Sequence, residues 1–540
     1  MSDKPIVLMP EDIQRIMGKD AQRNNILAAK MVSDMVKTTL GPKGMDKMLV
    51  SPTGGIIVTN DGVTILEEMQ IEHPAAKMMV EIAKTQEAEA GDGTTTAVMI
   101  AGKLLENAEK LLDMKIHPTI ITKGYRIAAE KSKEILNDIA LRITKNDEDI
   151  LKQIAMTAMT GKGAEDSRES FAEIIISALK QVENNGRIDI NDIKIEKSKG
   201  EGIQDTELIL GMVLDKQKVS SDMPNSVHNA RICLIDFPIE LKNPEIQTRI
   251  SISTPEQLQA FLEQEERVIK EIVDKIKMSG ANVVFCQKGI EDFANYLFSK
   301  EEIYACRRVA RSDMEKIAKA TGGKIVSSIS EITPFELGNS QIVEEVKHGE
   351  DVFTYIRGCQ NPKALTILIH GGTEHVIDEI ERAIKDGIGD VACAMRSGLV
   401  VVGGGAVEME LAKRLREFSQ ELSGREQLAV EEFANALEFI PLTLAENAGL
   451  DPIDVLTELK SRHDSGEKNV GLNLLINKIE NVLEYRIVEP LKIKTQAISS
   501  ASEVAIMILR IDDVIASSGK KSSGGNMMNV NPLKNVSEEF

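Results

Sequence analysis

The sequence predicts a multidomain protein in which two helical ends flank an α/β centre. At about 150 residues per domain, 540 residues make roughly three or four folding units. Apolar residues recur at helical spacing from Asp20 to about Asn146, and again from about Gly405 to Ile515. Between these ends, short β-branched runs alternate with helical patterns, as in a largely covered sheet.

In chain order, Asp20 can cap a first helix, with Ile26, Leu27, Met31, Met35 and Leu40 on or near one face and Gly41-Pro42 as its stop. Pro74 suits the first turn of a second helix, whose stripe of Ala75, Met78, Met79, Ile82 and Ala83 runs up to Gly91. A third starts at about Thr94 and passes through Val98, Leu104, Leu105 and Leu111, and Pro118 opens a fourth. Ile188, Ile190, Ile193 and Ile195 suggest strands with an interruption. Arg231 to Phe237, Asn282 to Cys286 and Ala364 to Ile369 read as buried strands, and Ser312 to Thr321 as a helix closed by Gly322-Gly323. Thr254-Pro-Glu-Gln257 is a capping box ahead of Leu258, Phe261, Leu262, Val268, Ile269, Ile272, Val273 and Ile276, with Gly280 as stop. That predicts a helix of about 22 residues, roughly 33 Å long, either a crossover on the sheet or an element projecting from it. Ser517 to Phe540 is rich in Ser, Gly and Asn and reads as a mobile tail.

Composition excludes several functions. Lys plus Arg is 65 against 85 Asp plus Glu, a net charge of −20, which opposes general nucleic-acid binding and favours a soluble, cytoplasmic protein. The longest uncharged apolar stretch, Ser397 to Val407, falls short of the ~20 residues of a membrane helix. The N-terminus lacks the basic and apolar regions of a secretory signal. Hydrophobic residues make up 42% of the chain but aromatics only 3%, with no Trp, so the cores must be aliphatic and Met-rich. Cys233, Cys286, Cys306, Cys359 and Cys393 are scattered without a CxxC pair and read as reduced core thiols.

Three glycine corners can carry chemistry. In Gly91-Asp-Gly-Thr-Thr-Thr96, glycines allow close backbone approach, a helix start supplies free N–H groups and hydroxyls add donors: a phosphate corner, with Asp92 as a hard oxygen ligand for Mg²⁺. The same pattern also serves as a plain capped turn. Thr38-Thr-Leu-Gly-Pro-Lys-Gly44 lacks Walker A spacing and can simply terminate a helix. Val400-Val-Val-Gly-Gly-Gly-Ala406 brings three glycines to a helix start, as a tight turn or a ligand contact. Taken singly, Asp61 in Thr59-Asn-Asp-Gly62 is a hairpin-turn residue, Asp386 a solvated helix residue and Lys162 a loop lysine.

Together with Lys494 to Glu503 and Ile511-Asp-Asp-Val514, these segments, in this order over nearly the whole chain, resemble the group II chaperonins, the archaeal thermosome subunits among them. The resemblance implies an all-α equatorial ATP-binding domain (1–146 and 403–520), a small α/β intermediate hinge domain (147–215 and 370–402) and an α/β apical substrate-binding domain (216–369). It further implies a helical protrusion acting as a built-in lid at about 240–277, with 521–540 as tail. ATP or ADP with Mg²⁺ is the implied ligand. The family pattern sets Leu40, Gly41 and Pro42 at the nucleotide, Asp92 on Mg²⁺, and Gly93, Thr94, Thr95 and Thr96 at the phosphates. Thr160 and Lys162 belong to a loop near the γ-phosphate, Gly404 and Gly405 lie near sugar and base, and Glu489 holds the ribose. Asp61 and Asp386 orient or activate the attacking water. Implied partners are unfolded client proteins and identical or paralogous subunits in a double ring, with no separate cap protein, nucleic acid or membrane. Gly387 and Gly389 put the rigidity of the Asp386 helix in question, and Gly471 to Leu475 departs from the pattern near the adenine. A metabolic ATPase or small-molecule kinase and a ring without hydrolysis are the rival readings.

Overall fold

The computed structural model describes residues 13–51, 54–163, 167–184, 186–200, 202–240, 255–349 and 351–517. Its largest core joins Ile26–Leu136 to Val401–Leu509. At the centre is the Thr94–Asp113 helix, in which Ala97, Val98, Met99 and Ile100 are all buried, so it is covered on every side. It packs on the Lys19–Lys37 and Leu491–Leu509 helices.

The first helix departs from its expected face. It ends at Lys37, ahead of Gly41-Pro42, and it turns Leu27 and Met31 outward, 56% and 55% exposed. Its buried face is Ala21, Asn25, Ile26, Ala29, Val32, Ser33 and Val36. A Cβ added to Gly102 would lie 2.4 Å from the Ser33 Cβ, so the two helices approach through small residues and the bulky ones rotate away.

The helical ends also carry strand at their rim, a correction to the all-α expectation. Lys47–Val50 pairs with Ile56–Thr59, Ile13–Met17 with Asp513–Ser517, and Val470–Asn473 with Lys478–Asn481. Leu399–Val402 lies between Val488–Pro490 and Leu141–Arg142. Strands of 2 to 5 residues are too short to reveal a period of two.

A second core lies mid-chain. Strand Leu365–Gly371, buried throughout, sits between Ile193–Lys199 and Glu207–Ile209. Helices Glu148–Ala158, Arg168–Val182 and Glu374–Ser397 accompany it. The interruption expected near Ile190 is a 3₁₀ turn over Ile190–Asp192. Helix Glu374–Ser397 runs unbroken through both glycines. Each has a packing reason: a Cβ on Gly389 would stand 3.2 Å from the Gly91 Cα, and one on Gly387 2.8 Å from the Ile175 Cδ1.

The third region is a seven-stranded sheet. Along Ser226–Ile235, alternate residues enter opposite cores, Cys233 and Ile235 on one face, Ile232 and Leu234 on the other. Tyr304–Cys306 and Val283–Cys286 extend the sheet in parallel from this strand, while Gly338–His348, Asp351–Arg357 and Gly211–Leu214 continue it antiparallel. Helix Pro255–Ser279 has 25 residues, about 37 Å at 1.5 Å each. Ile269, Ile272, Val273 and Ile276 fix its second half in the core. Residues 241–254 of the expected lid and the 521–540 tail lie outside the described residues. The cysteines are free thiols, buried except for Cys359, which is partly exposed. Among the described residues no helix is long and apolar enough to cross a membrane.

Candidate functional site

Two left-handed glycines build the central corner. Gly91, at φ 82°, closes helix Pro74–Ala90 by donating its N–H to the Glu87 carbonyl at 3.0 Å. Gly93, at φ 79°, begins helix Thr94–Asp113, and no side chain caps that start. The first N–H groups are therefore available to an anion, with the helix dipole behind them. A Cβ on Gly93 would meet the Ile493 Cγ2 at 2.6 Å. Buried Gln86 braces the turn: its Nε2 donates to the Asp92 carbonyl at 2.7 Å and the Ile493 carbonyl at 3.3 Å.

Asp61 is not at a hairpin tip, which lies upstream between Val50 and Ile56. It caps helix Gly62–Glu68, its carboxylate accepting from the Val63 N–H at 3.3 Å, the Thr64 N–H at 2.9 Å and the Thr64 hydroxyl at 2.6 Å. That start abuts the threonine corner, for a Cβ on Gly62 would stand 2.6 Å from the Thr95 Oγ1. Next to it, Asn60 donates to the Gly161 carbonyl at 2.7 Å, drawing in the loop of Thr160 and Lys162. Arg168 donates to the Thr160 hydroxyl at 2.9 Å, and that hydroxyl to the Met156 carbonyl at 2.6 Å.

Lys162 forms an ion pair with Asp386. At 9% exposure, Asp386 is a buried group and not the solvated helix residue its local sequence suggests. Burial pushes its carboxyl up to about 7, Lys162 opposes the rise, and Asp92 and Asp61 add to it. Glu87 is pushed up to about 8, by burial first and then by Asp386, Asp61 and Asp92. Burial works against the Lys162 ammonium, but Asp386 and Asp92 outweigh it and hold the charge.

The remaining corners come from both chain ends. Asn447 donates to the Lys37 and Leu40 carbonyls at 3.1 and 2.9 Å, fixing the approach to Gly41 and Pro42. The Leu472 N–H donates to the Gly404 carbonyl at 2.8 Å, and a Cβ on Gly405 would stand 2.7 Å from the Pro441 Cβ. Lys494, 8% exposed, bridges Glu489 at 2.7 Å and Glu408 at 2.9 Å.

These segments enclose a cleft of about 280 Å³ whose wall includes residues 40–42, 61, 92–96, 160, 162, 404–405 and 489. Asp386 stands behind Lys162, off the wall. Reading the sequence missed Asp390 and Lys494 on this wall, and the apolar Ile440, Leu444, Leu472 and Leu474. Asp390 lies one helical turn beyond Asp386, a spacing that could have revealed it. Asn473, in the segment that departs from the family pattern, is off the wall: its amide donates to Glu480 at 3.0 Å.

Among the described residues no three His, Cys, Asp or Glu side chains form a preformed metal cage. The donor set nevertheless fits a divalent cation arriving with phosphate. Asp61, Asp92, Asp386, Asp390 and Glu87 crowd around Lys162, and the buried Asp390 Oδ1 has no hydrogen-bond partner.

Residues 32–518 match the TCP-1/cpn60 chaperonin family. The chain is 56% identical to thermosome subunit beta of Archaeoglobus fulgidus over 530 residues, covering 97% of each chain. It is 57% identical over 517 residues to the thermosome subunit of Methanopyrus kandleri, covering 95% of each, and 54% identical over 522 residues to that of Pyrococcus horikoshii, covering 96% and 95%. The arrangement of the cleft and this likeness over nearly the full length make the chain a member of the TCP-1/cpn60 chaperonin family.

Proposed function

We propose that the chain is a Mg²⁺-dependent ATPase subunit of a double-ring group II chaperonin that encloses unfolded proteins, works in the cytoplasm and needs no separate cap. The observation that carries the proposal is the open helix start at Gly93, which shares one cleft with Asp92, Asp61 and Lys162, the ion-pair partner of Asp386. On this reading the core joining both chain ends is the equatorial domain, the mid-chain core the intermediate domain and the seven-stranded sheet the apical domain. The outward Leu27 and Met31 support a neighbouring subunit, since a lone subunit gains nothing by exposing them.

Phosphoryl transfer depends mainly on positioning and charge stabilisation. The N–H groups and hydroxyls of Thr94, Thr95 and Thr96 receive the phosphates, and Leu40, Gly41 and Pro42 close over the nucleotide. Gly404 and Gly405 admit sugar and base, and Glu489, oriented by Lys494, accepts from the ribose hydroxyls. Asp92 holds Mg²⁺, which when bound neutralises phosphate charge. Asp61, fixed by its own helix start, orients a water; Asp386 accepts the proton, and Lys162 with Thr160 senses the terminal phosphate. Asp61 and Asp92 flank the starts of helices Gly62–Glu68 and Thr94–Asp113, which pack in the large helical core, and Asp386 lies on helix Glu374–Ser397 of the mid-chain core, so movement between the two completes the catalytic set.

Phosphate release by the purified protein, with Mg²⁺ and with EDTA, tests this directly. Release that needs Mg²⁺ and no small co-substrate supports the proposal. Absent release favours a ring without hydrolysis, and release that requires a small acceptor favours a metabolic kinase.

A further inference from the structure

Asp390 has no role in the scheme above, yet it is 2% exposed, lies on the wall of the same cleft, and keeps Oδ1 without a partner. An unmet buried carboxylate oxygen is expensive and calls for a partner that arrives with a ligand. Its surroundings limit what that partner can be. Asp92, Asp386 and Glu489 surround it with negative charge, and the nearby Lys162 is already paired with Asp386. Phosphate oxygens only accept, so they cannot supply the donor that Oδ1 lacks. A donor that enters this cleft with phosphate is the water on a phosphate-bound cation, because Mg²⁺ keeps several waters when one or two carboxylates and a nucleotide hold it. The backbone is built to bring Asp390 there: Gly389 packs against Gly91, next to Asp92, with each glycine's missing Cβ leaving room for the other.

We propose that Asp390 is a positioning residue for the metal, accepting hydrogen bonds from water bound to the cation on Asp92. This rests on the nucleotide reading of the cleft. Ligands that orient bound water are commonly worth 10- to 100-fold in metal affinity.

The test uses the full chain, ADP, Mg²⁺ and, as a paramagnetic probe, Mn²⁺. Metal titrations at saturating ADP, followed by calorimetry and by the electron paramagnetic resonance of free Mn²⁺, compare wild type with the near-isosteric Asp390→Asn. About a tenfold or greater rise in the metal midpoint is expected, with ADP affinity in EDTA no weaker because the amide adds no charge. The ligand-free Asp390→Asn protein should melt no lower than wild type, since burial and the neighbouring acids already press the Asp390 carboxyl toward its neutral form and the amide is neutral too. An unchanged metal midpoint overturns the proposal. So does weaker ADP binding in EDTA, which would make Asp390 a direct contact of the nucleotide, and so does a lower ligand-free melting temperature with an unchanged midpoint, which would make it a structural residue. If wild-type ADP binding ignores metal altogether, the nucleotide–metal reading of the cleft fails first. Asp390→Ala, which has no acceptor at all, should weaken the metal at least as much as Asp390→Asn, whose amide oxygen can still accept from water; a wild-type midpoint in Asp390→Ala counts against the proposal.

Discussion

Lys162 and Asp386, 224 residues apart, form a partly buried ion pair that joins the loop after one mid-chain helix to the middle of another. Its position behind the wall of the cleft separates binding from hydrolysis. Asp386→Ala should retain ATP, because the corner at Gly93 survives, and should slow turnover by on the order of 10²-fold. Equilibrium binding and single-turnover phosphate release measure the two separately; wild-type turnover would remove Asp386 from the reaction.

The same residue sets a pH dependence. In the ligand-free site its carboxyl is pushed up to about 7, so below that pH it holds a proton and cannot accept one from water. Turnover should rise with pH and level off above about 7, and a bound cation, which favours the ionised form, should move this limb downward. Asp386→Asn should abolish the limb along with most of the rate. A limb that survives in Asp386→Asn belongs to another group, Glu87 being the nearest candidate.

The two glycines around Asp386 should respond differently to alanine. A Cβ on Gly387 meets the end of the Ile175 side chain, which can move, and alanine adds helix propensity worth about 1 kcal/mol, so Gly387→Ala should be tolerated. A Cβ on Gly389 meets the backbone of Gly91, held at positive φ in a braced turn. Gly389→Ala should lose roughly 1 to 3 kcal/mol through overpacking and displace Asp92. Melting temperature and metal-dependent turnover should both fall for Gly389→Ala and stay near wild type for Gly387→Ala.

Lys494 carries a separate prediction. Lys494→Met would leave buried Glu408 and half-buried Glu489 without their shared cation, a loss of roughly 3 kcal/mol. Burial already raises the Glu489 carboxyl, and without Lys494 it would favour protonation further. The deficit should therefore be smallest near pH 5 and grow as pH rises and Glu489 is forced to ionise. A deficit independent of pH in thermal melts would mean that Lys494 acts through packing alone.

The two halves of this cleft were not equally legible in the sequence. Gly91 to Thr96 carried its geometry on the page, because positive-φ glycines and an uncapped helix start depend on neighbouring residues. Asp61 and Asp386 gave the wrong local reading and Lys162 read only as a loop lysine, since their partners are distant: Thr95 for the Asp61 helix, Asn60 for the Lys162 loop, Gly91 for the helix of Asp386. Only the order of motifs, as a resemblance, brought them together. Leu27 and Met31 failed for a related reason: periodicity finds an apolar stripe but cannot tell that Gly102 across the interface selects the small-residue face. The rim strands were too short to see.

The proposed lid gives the last prediction, and the packing of helix Pro255–Ser279 determines how to test it. Ile269, Ile272, Val273 and Ile276 belong to the core of the large sheet, so removing the whole helix would damage the fold and say nothing about a lid. The replacement must stop before Ile269, substituting residues 243–265 by a short Gly/Ser linker. Circular dichroism melts should then match wild type, and ring assembly and phosphate release should persist, because the cleft draws none of its wall from this segment. Shielding of an unfolded client from added protease under hydrolysing conditions should be lost, since each subunit would no longer have a segment to close over the chamber. A variant that still shields its client would mean that the segment does not act as a lid and that this helix serves the sheet alone.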